Sequence, residues 1–122
     1  MRVEGVFRTA KETRNVAAGT VIFEQGDAGA EMFGVVEGRV SLKTDGHLVA
    51  EVGPDDIFGE MALVDSSPRM ATALAETDTV LAVINRRDFL WLVHETPMFA
   101  LQVMSTFAER LRAYQQLYSR SE

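Results

Sequence analysis

Residues 58–73 read FGEMALVDSSPRMATA and place an acid, Glu60, nine residues before a base, Arg69. The residues after Gly59 favour a helix, residues 65–68 interrupt it with Asp-Ser-Ser-Pro, and Arg69 begins a strand-like run. A short helix whose amino end faces an arginine suits an anion, because free backbone N–H groups and the forked guanidinium both donate hydrogen bonds. A carboxylate would repel a bound anion such as phosphate. Its position here is therefore favourable only if it binds another group, such as the hydroxyls of a sugar attached to that phosphate.

On both sides of this stretch, short β-prone runs alternate with glycine-containing turns. The runs cover residues 20–23, 32–36, 40–42, 47–52, 71–74 and 80–83. Regular short strands of this kind predict a β-sandwich or barrel, and Asp45-Gly46 is typical of a tight hairpin turn. We expect the turn glycines to serve backbone conformation rather than ligand binding.

The periodicity becomes helical after Asn85, which can cap a short helix with Phe89, Leu92 and Val93 on one face. A proline one residue after a capping hydroxyl, at residues 96–97, indicates a second and longer helix. We expect the two helices together to cover about residues 86–118.

Two side-chain stripes run along the longer helix. The heptad stripe consists of Leu101, Met104, Ala108, Leu111, Gln115 and Tyr118, and the second stripe of Phe99, Val103, Phe107 and Tyr114. One apolar face is enough for a helix that packs on a single body, so two stripes favour packing on the β-rich body and also on a partner helix. We therefore expect a homodimer through the heptad stripe; the alternative is one broad core-facing surface.

Composition limits the possible functions. The 122 residues suffice for one domain, and the net charge of −6 argues against binding of this chain to DNA or to an anionic membrane. Cysteine is absent, which excludes disulfides and a thiolate nucleophile, and two isolated histidines do not make a metal site. No apolar run reaches the ~20 residues of a membrane span and the amino terminus is not a secretory signal, so we expect a cytoplasmic, non-enzymatic protein.

The pattern Phe-Gly-Glu-x-Ala-Leu, a short gap and Pro-Arg-x-Ala-Thr resembles the phosphate-binding cassette of the cyclic nucleotide-binding domain. Catabolite activators, regulatory subunits of cyclic-AMP-dependent protein kinase and cyclic nucleotide-gated channels share that domain. The resemblance implies a mainly β fold, a double-stranded β-helix (jelly-roll) barrel over about residues 15–84 followed by a short helix and a long carboxy-terminal helix. Residues 1–14 would be an amino-terminal arm or short helix, and the domain as a whole, residues 15–122, an allosteric sensor of cyclic nucleotide.

The resemblance also implies a phosphate and ribose site. Arg69 would bind the cyclic phosphate, Glu60 the ribose 2′-hydroxyl, and Gly59 would allow close backbone approach. Met61, Ala62, Met70 and Ala71 complete this set, with backbone amides of residues 60–62 and 71 forming an anion nest. Without ligand, a buried Arg69 would need Glu60 or Asp65 as its counter-charge, so a Glu60–Arg69 ion pair with no ligand is the structural alternative.

The site for the base is implied more loosely. Leu42, Val49 and Ala50 would supply apolar contacts, while Arg110, Tyr114 and Gln115 would approach from the long helix. Tyr114 could stack on a purine and Gln115 could bind the adenine amino group; alternatively, Tyr114 belongs to the core and Gln115 to the heptad stripe. Met70 stands where cyclic-GMP-binding members often carry Thr or Ser, which favours cyclic AMP over cyclic GMP because methionine offers no hydroxyl.

Two other functions remain open. The first alternative is the sensor domain of a catabolite-activator-type transcription regulator. The helix-turn-helix domain of such a regulator is absent from the sequence up to Glu122. It also fits a structural or dimerisation domain that has kept the cassette and lost the ligand. Ligand binding, and the sequence beyond residue 122 in the gene, would separate these functions from a stand-alone sensor.

Overall fold

A computed structural model describes residues 1–120 of the chain, and over these residues the polypeptide forms eight strands and three helices. In chain order the elements are β1 (Thr13–Val16), β2 (Val21–Phe23), β3 (Met32–Glu37), β4 (Val40–Thr44), β5 (His47–Val52), β6 (Ile57–Phe58), α1 (Glu60–Asp65), β7 (Thr72–Ala75), β8 (Thr79–Ile84), α2 (Arg86–Glu95) and α3 (Met98–Arg120).

The strands form two antiparallel four-stranded sheets. Their orders are β1-β8-β3-β6 and β2-β7-β4-β5. A shared core holds the sheets face to face, because Phe33 and Leu81 of the first sheet cluster with Val40 and Ala73 of the second. The mainly β jelly-roll fold with flanking helices is thus confirmed, although the strands form two separate sheets rather than one closed barrel.

Two strands were missed by the sequence patterns. β1 has the polar sequence TRNV and is mostly exposed, so it lacks the alternating apolar residues that reveal a strand. β6 consists only of Ile57 and Phe58, both fully buried, which is too short for any periodicity. Its pairing with β3 nevertheless leads the chain directly into α1 and thereby fixes where the cassette begins.

A second core lies where the helices meet the first sheet. Phe99 of α3 contacts Phe7 edge-on, with 5.9 Å between ring centroids, and both side chains are buried. Residues 4–9 form turns with hydrogen bonds such as that from the amide of Arg8 to the carbonyl of Gly5, rather than an α-helix. Phe7 lies so close to Gly34 that a Cβ there would come within 2.4 Å of its ring, so residues 1–14 include part of the core.

The two stripes of α3 have different surroundings. In the second stripe, Phe99, Val103 and Tyr114 are buried and Phe107 is partly buried against the body of the protein. The heptad stripe is largely open, with its large apolar members exposed by 48–59%: Leu101, Met104, Leu111 and Tyr118. Among the described residues, no helix is both long enough and apolar enough to span a membrane.

Candidate functional site

One pocket collects most of the residues that the sequence singled out. The space between its lining residues is about 390 Å³, part of it open to solvent. Its wall consists of Phe23, Leu42, Gly59, Glu60, Met61, Ala62, Pro68, Arg69, Met70, Ala71, Arg110 and Tyr114. All seven residues predicted for phosphate and ribose are present, as are three of those predicted for the base.

Backbone hydrogen bonds hold Arg69 at the pocket. Its amide donates to the carbonyl of Asp27, and its carbonyl accepts from the amide of Gly26, both at 2.8 Å. Its guanidinium Nη1 donates to the carbonyls of Glu31 at 2.8 Å and Gly59 at 3.1 Å. The loop between β2 and β3 therefore fixes the backbone of Arg69, and the carbonyls of Glu31 and Gly59 orient its guanidinium.

An aromatic ring and two glycines surround this guanidinium. The Phe23 ring lies 4.3 Å from the guanidinium carbon, a distance suited to cation–π attraction. A Cβ at Gly29 would come within 2.4 Å of the guanidinium, and one at Gly59 within 2.8 Å of Nη1. Sequence reasoning did not find Phe23, Gly29 or Glu31 as site residues, because they lie at the end of β2 and in the loop after it, about forty residues before Arg69, and carry no motif of their own.

Glu60 is buried at the amino end of α1. Only 4% of the residue is exposed, and the preceding Gly59 adopts a left-handed conformation with φ of 76° that turns the chain into the helix. Burial raises the pKa of Glu60 above its ordinary value, opposed by the positive charges of Arg110 and Arg69 and by backbone hydrogen bonds. A carboxylate in this setting would be stabilised by any donor that entered the pocket.

The ligand-free ion pair is not present. None of the ion pairs among the described residues joins Glu60 to Arg69. Asp65 is exposed, and hydrogen bonds from Ser67, including one from its amide at 3.0 Å, lower the Asp65 pKa. Asp65 therefore stabilises the turn after α1, and Arg69 is held by carbonyl groups rather than by either carboxylate. Burial lowers the Arg69 pKa.

Three buried polar atoms of the pocket residues have no hydrogen-bond partner. They are Glu60 Oε1, Arg69 Nε and Arg110 Nε, and among the side chains that the structure describes no other buried polar atom is unpaired. An unpaired buried polar group typically costs about 1–3 kcal/mol, more if charged. That all three belong to the wall of one pocket indicates a site built for a ligand with both acceptors and donors.

Helix α3 forms the other side of the pocket. Arg110 is buried and donates from Nη2 to the carbonyl of Ile57 at 2.8 Å. The Tyr114 hydroxyl lies 3.5 Å from that of Thr44, which donates to the Met70 carbonyl at 2.8 Å. Burial raises the Tyr114 pKa, so its hydroxyl stays neutral. These contacts dock the helix against the cassette and the second sheet.

Three residues predicted for the base are not in the pocket wall. Gln115 is exposed beside Arg112 on another face of α3, because one residue along a helix turns the side chain by about 100° away from Tyr114. Val49 is the extra residue of a bulge, since Leu42 pairs with Ala50 and Lys43 with Leu48. Ala50 lies next to Leu42 and packs on the core instead of lining the pocket.

Thr72 lies outside the pocket wall, and its hydroxyl accepts a hydrogen bond from the amide of Gln25 at 3.0 Å. Met70 is 41% exposed and is the side chain that follows Arg69 in the wall.

Within residues 1–120, no three acidic or histidine side chains come together in a way that could hold a metal ion.

Known proteins share both the sequence and the fold. A sequence profile described as the cyclic nucleotide-binding domain matches residues 13–96. A cyclic nucleotide-gated potassium channel of Rhizobium etli is 42% identical over 101 residues, which cover 83% of this chain and 28% of the channel. The cyclic AMP receptor protein of Thermus thermophilus is 39% identical over 100 residues, covering 77% of this chain and 46% of the receptor.

Among solved structures, the catabolite activator protein of Thermus thermophilus superposes with a TM-score of 0.72 at 36% identity, covering 90% of this chain and 55% of that one. The chain spans less than half the length of the two curated relatives. The similarity therefore concerns one domain of larger proteins.

Proposed function

The chain belongs to the cyclic nucleotide-binding domain family, and from this premise we propose that it is an allosteric sensor module whose pocket binds cyclic AMP. The observation that carries the proposal is the set of three unpaired buried atoms, Glu60 Oε1, Arg69 Nε and Arg110 Nε, in one pocket wall. A cyclic nucleotide supplies what Glu60 and Arg69 lack, because its ribose has a hydroxyl donor and its phosphate has acceptor oxygens.

Each polar group has a distinct proposed role. Arg69 donates to the phosphate from the side of its guanidinium that the carbonyls of Glu31 and Gly59 leave unused. Glu60 accepts from the ribose 2′-hydroxyl. Arg110 of α3 stabilises the charge of Glu60, in place of the contact to the base that the sequence suggested. Met61, Ala62 and Ala71 shape the wall and leave space for the nucleotide.

The base lies, in this proposal, between Leu42 and Tyr114. Stacking on an aromatic ring is tolerant of base identity, so Tyr114 contributes affinity rather than choice. Met70 gives the rim a thioether in place of a hydroxyl, which removes a donor that could bind the guanine edge. This substitution is the support for cyclic AMP as the preferred ligand.

A homodimer through the heptad stripe is the proposed assembly. The stripe leaves four large apolar side chains about half exposed on one face of α3: Leu101, Met104, Leu111 and Tyr118. Burying this row against a second copy would remove apolar surface from water. Sedimentation equilibrium tests it: Leu111→Glu is expected to give a monomer, and an unchanged mass, or a monomeric unmodified protein, would contradict the dimer.

A role as the sensor domain of a transcription regulator is the second candidate. It is favoured by the Thermus cyclic AMP receptor protein, 46% of which this chain covers. Catalysis is not part of either proposal. Sequencing the gene beyond the codon for residue 122 would decide whether a DNA-binding domain follows.

Isothermal titration with cyclic AMP tests the binding proposal. We expect saturable binding by the unmodified chain and none measurable by Arg69→Ala at the same concentrations, with Arg87→Ala as a control that removes an exposed arginine. Absence of binding to cyclic AMP and cyclic GMP at millimolar concentration would contradict the proposal and favour a structural domain that has lost its ligand.

A further inference from the structure

A contact outside the pocket joins the cassette to α2. Nη2 of Arg86, the first residue of α2, donates to the carbonyl of Leu63 in α1 at 3.1 Å. The first three residues of α1 line the pocket, whereas no residue of α2 does among those the structure describes. Any effect of ligand on α2 must therefore pass through α1, through α3 or through the core between them.

The carboxy-terminal end of α1 depends on this contact. The carbonyls of a last helical turn have no partners within the helix. The carbonyl of Ala62 accepts from the Ser66 amide at 3.1 Å, and the carbonyl of Leu63 accepts from Arg86. α1 has no basic residue in its own last turn, so Arg86 supplies the positive charge that favours this end of a helix.

The remaining geometry makes α1 and α2 suited to move together. Left-handed residues bracket α1, Gly59 with φ of 76° and Ser66 with φ of 59°, so the helix is a short rigid unit between two sharp turns. At the start of α2, Asn85 caps the helix by accepting from the amide of Asp88 at 2.8 Å. This cap fixes the backbone of Arg86 as part of α2, so a displacement of α1 acts on the helix and not on a loose loop.

We propose that Arg86 is a positioning residue that transmits occupancy of the pocket from α1 to α2. This inference rests on the proposed function. Leu63 and Leu92 also share a core cluster, but apolar contacts have little directional preference, whereas the hydrogen bond specifies where the first turn of α2 stands relative to α1. Arg86 does not line the pocket, so its removal is expected to affect the response more than the binding.

Trp91 reports the response. It is the single tryptophan of the chain, it lies on α2, and it is 41% exposed. The Lys11 ammonium lies 5.7 Å from its ring centroid, so movement of α2 relative to the amino-terminal segment changes its surroundings. Its fluorescence can be followed in the full chain without a label.

The experiment combines isothermal titration and Trp91 fluorescence in four proteins: unmodified, Arg86→Ala, Arg86→Lys and the matched control Arg87→Ala. With Arg86→Ala we expect the cyclic AMP Kd to change less than about fivefold, the low end of allosteric coupling, while the Trp91 response at saturation falls by about half or more. Arg86→Lys should recover part of the response, and Arg87→Ala should retain all of it.

Hydrogen exchange in the absence of ligand separates this inference from the proposed function. Loss of the Arg86 contact should speed exchange of the Ser66 amide roughly threefold in Arg86→Ala and not in Arg87→Ala. An unmodified protein that fails to bind contradicts the proposed function. Binding with no change at Trp91, an equal response in Arg86→Ala, or unchanged Ser66 exchange contradicts the role of Arg86.

Discussion

The two sides of the pocket differ in how the chain builds them. The cassette side comes from one continuous stretch, residues 59–71, and a single distant loop helps to hold its arginine: Arg69 donates to the carbonyl of Glu31 across 38 residues and to that of Gly59 across 10. The lid side is assembled from distant elements: Arg110 contacts Ile57 across 53 residues, and Tyr114 approaches Thr44 across 70. The first side depends on one continuous motif and the loop that holds it, and the second on the register and rotation of a long helix.

This difference predicts which side of the pocket contributes more to affinity. On the cassette side two buried atoms, Glu60 Oε1 and Arg69 Nε, lack a hydrogen-bond partner, against one on the lid side, Arg110 Nε, so pairing the cassette groups with a ligand should yield the larger gain in free energy. On the lid side, Arg110 and Tyr114 belong to a helix that also presents the exposed heptad stripe. We therefore expect changes in the cassette to weaken binding most, and changes in the lid to act on affinity less.

The largest expected effect is that of Arg69→Ala. Removing a buried group that binds a charged phosphate is expected to weaken cyclic AMP binding at least about 30-fold, because a lost charged partner costs about 2–5 kcal/mol. Titration calorimetry measures it, and Arg69→Lys should recover only part because lysine lacks the fork. A loss below tenfold would place the dominant affinity outside the cassette.

A smaller loss is expected for Glu60→Gln, roughly 10-fold or more for one hydrogen bond to a charged acceptor. The sharper measurement compares cyclic AMP with 2′-deoxy-cyclic AMP. The unmodified protein should prefer the ribose form, and Glu60→Gln should lose most of that preference. Equal loss of affinity for both nucleotides would mean that Glu60 does not contact the 2′-hydroxyl.

On the lid side, Tyr114→Ala is expected to weaken binding about tenfold, within the ~1–3 kcal/mol of a base stacked on an aromatic ring. The adjacent Gln115→Ala is the matched control and should change the Kd less than twofold, because Gln115 is exposed on another face of α3. A larger effect of Gln115 than of Tyr114 would show that the helix rotates when ligand binds.

The two sides of the pocket also differ in how well the sequence alone predicted their residues. Gly59, Glu60 and Arg69 were identifiable because their motif is local, and the fold followed from turn chemistry and short β-prone runs. Gln115 does not line the pocket: the family resemblance suggested its contact to the base, whereas the heptad spacing placed it in the stripe that the structure leaves exposed. Val49 does not line the pocket either, because a bulge shifts the register by one residue, and bulges leave no reliable pattern in sequence.

The Glu60→Gln substitution should raise the stability of the ligand-free protein, although it weakens the binding of cyclic AMP. A carboxyl whose pKa is raised on folding binds more protons when folded, so stability falls as pH rises above the ordinary value of 4.5. Glu60→Gln should therefore be more stable than the unmodified protein at pH 7, by about 1 kcal/mol, with no difference below about pH 4. Thermal unfolding without ligand measures this; a variant that is less stable at pH 7 would show that Glu60 is well paired.

The smallest expected effect is that of Met70→Thr, which restores a hydroxyl at the rim. The ratio of cyclic GMP to cyclic AMP affinity should rise about threefold, as expected for one neutral hydrogen bond. Competition between the two nucleotides measures the ratio directly, with Met70→Val as a control that adds β-branching without a hydroxyl. An equal shift in both variants would attribute the effect to shape.

The central claim is that Glu60 and Arg69, two of the three pocket residues with an unpaired buried atom, bind the cyclic nucleotide, and a crystal structure of the chain with cyclic AMP tests it most directly. We expect the ribose 2′-hydroxyl within hydrogen-bonding distance of Glu60 Oε1 and a phosphate oxygen within that distance of the Arg69 guanidinium, with Arg110 beside Glu60. A nucleotide bound elsewhere, or bound in this pocket with Glu60 and Arg69 still unpaired, would contradict the account.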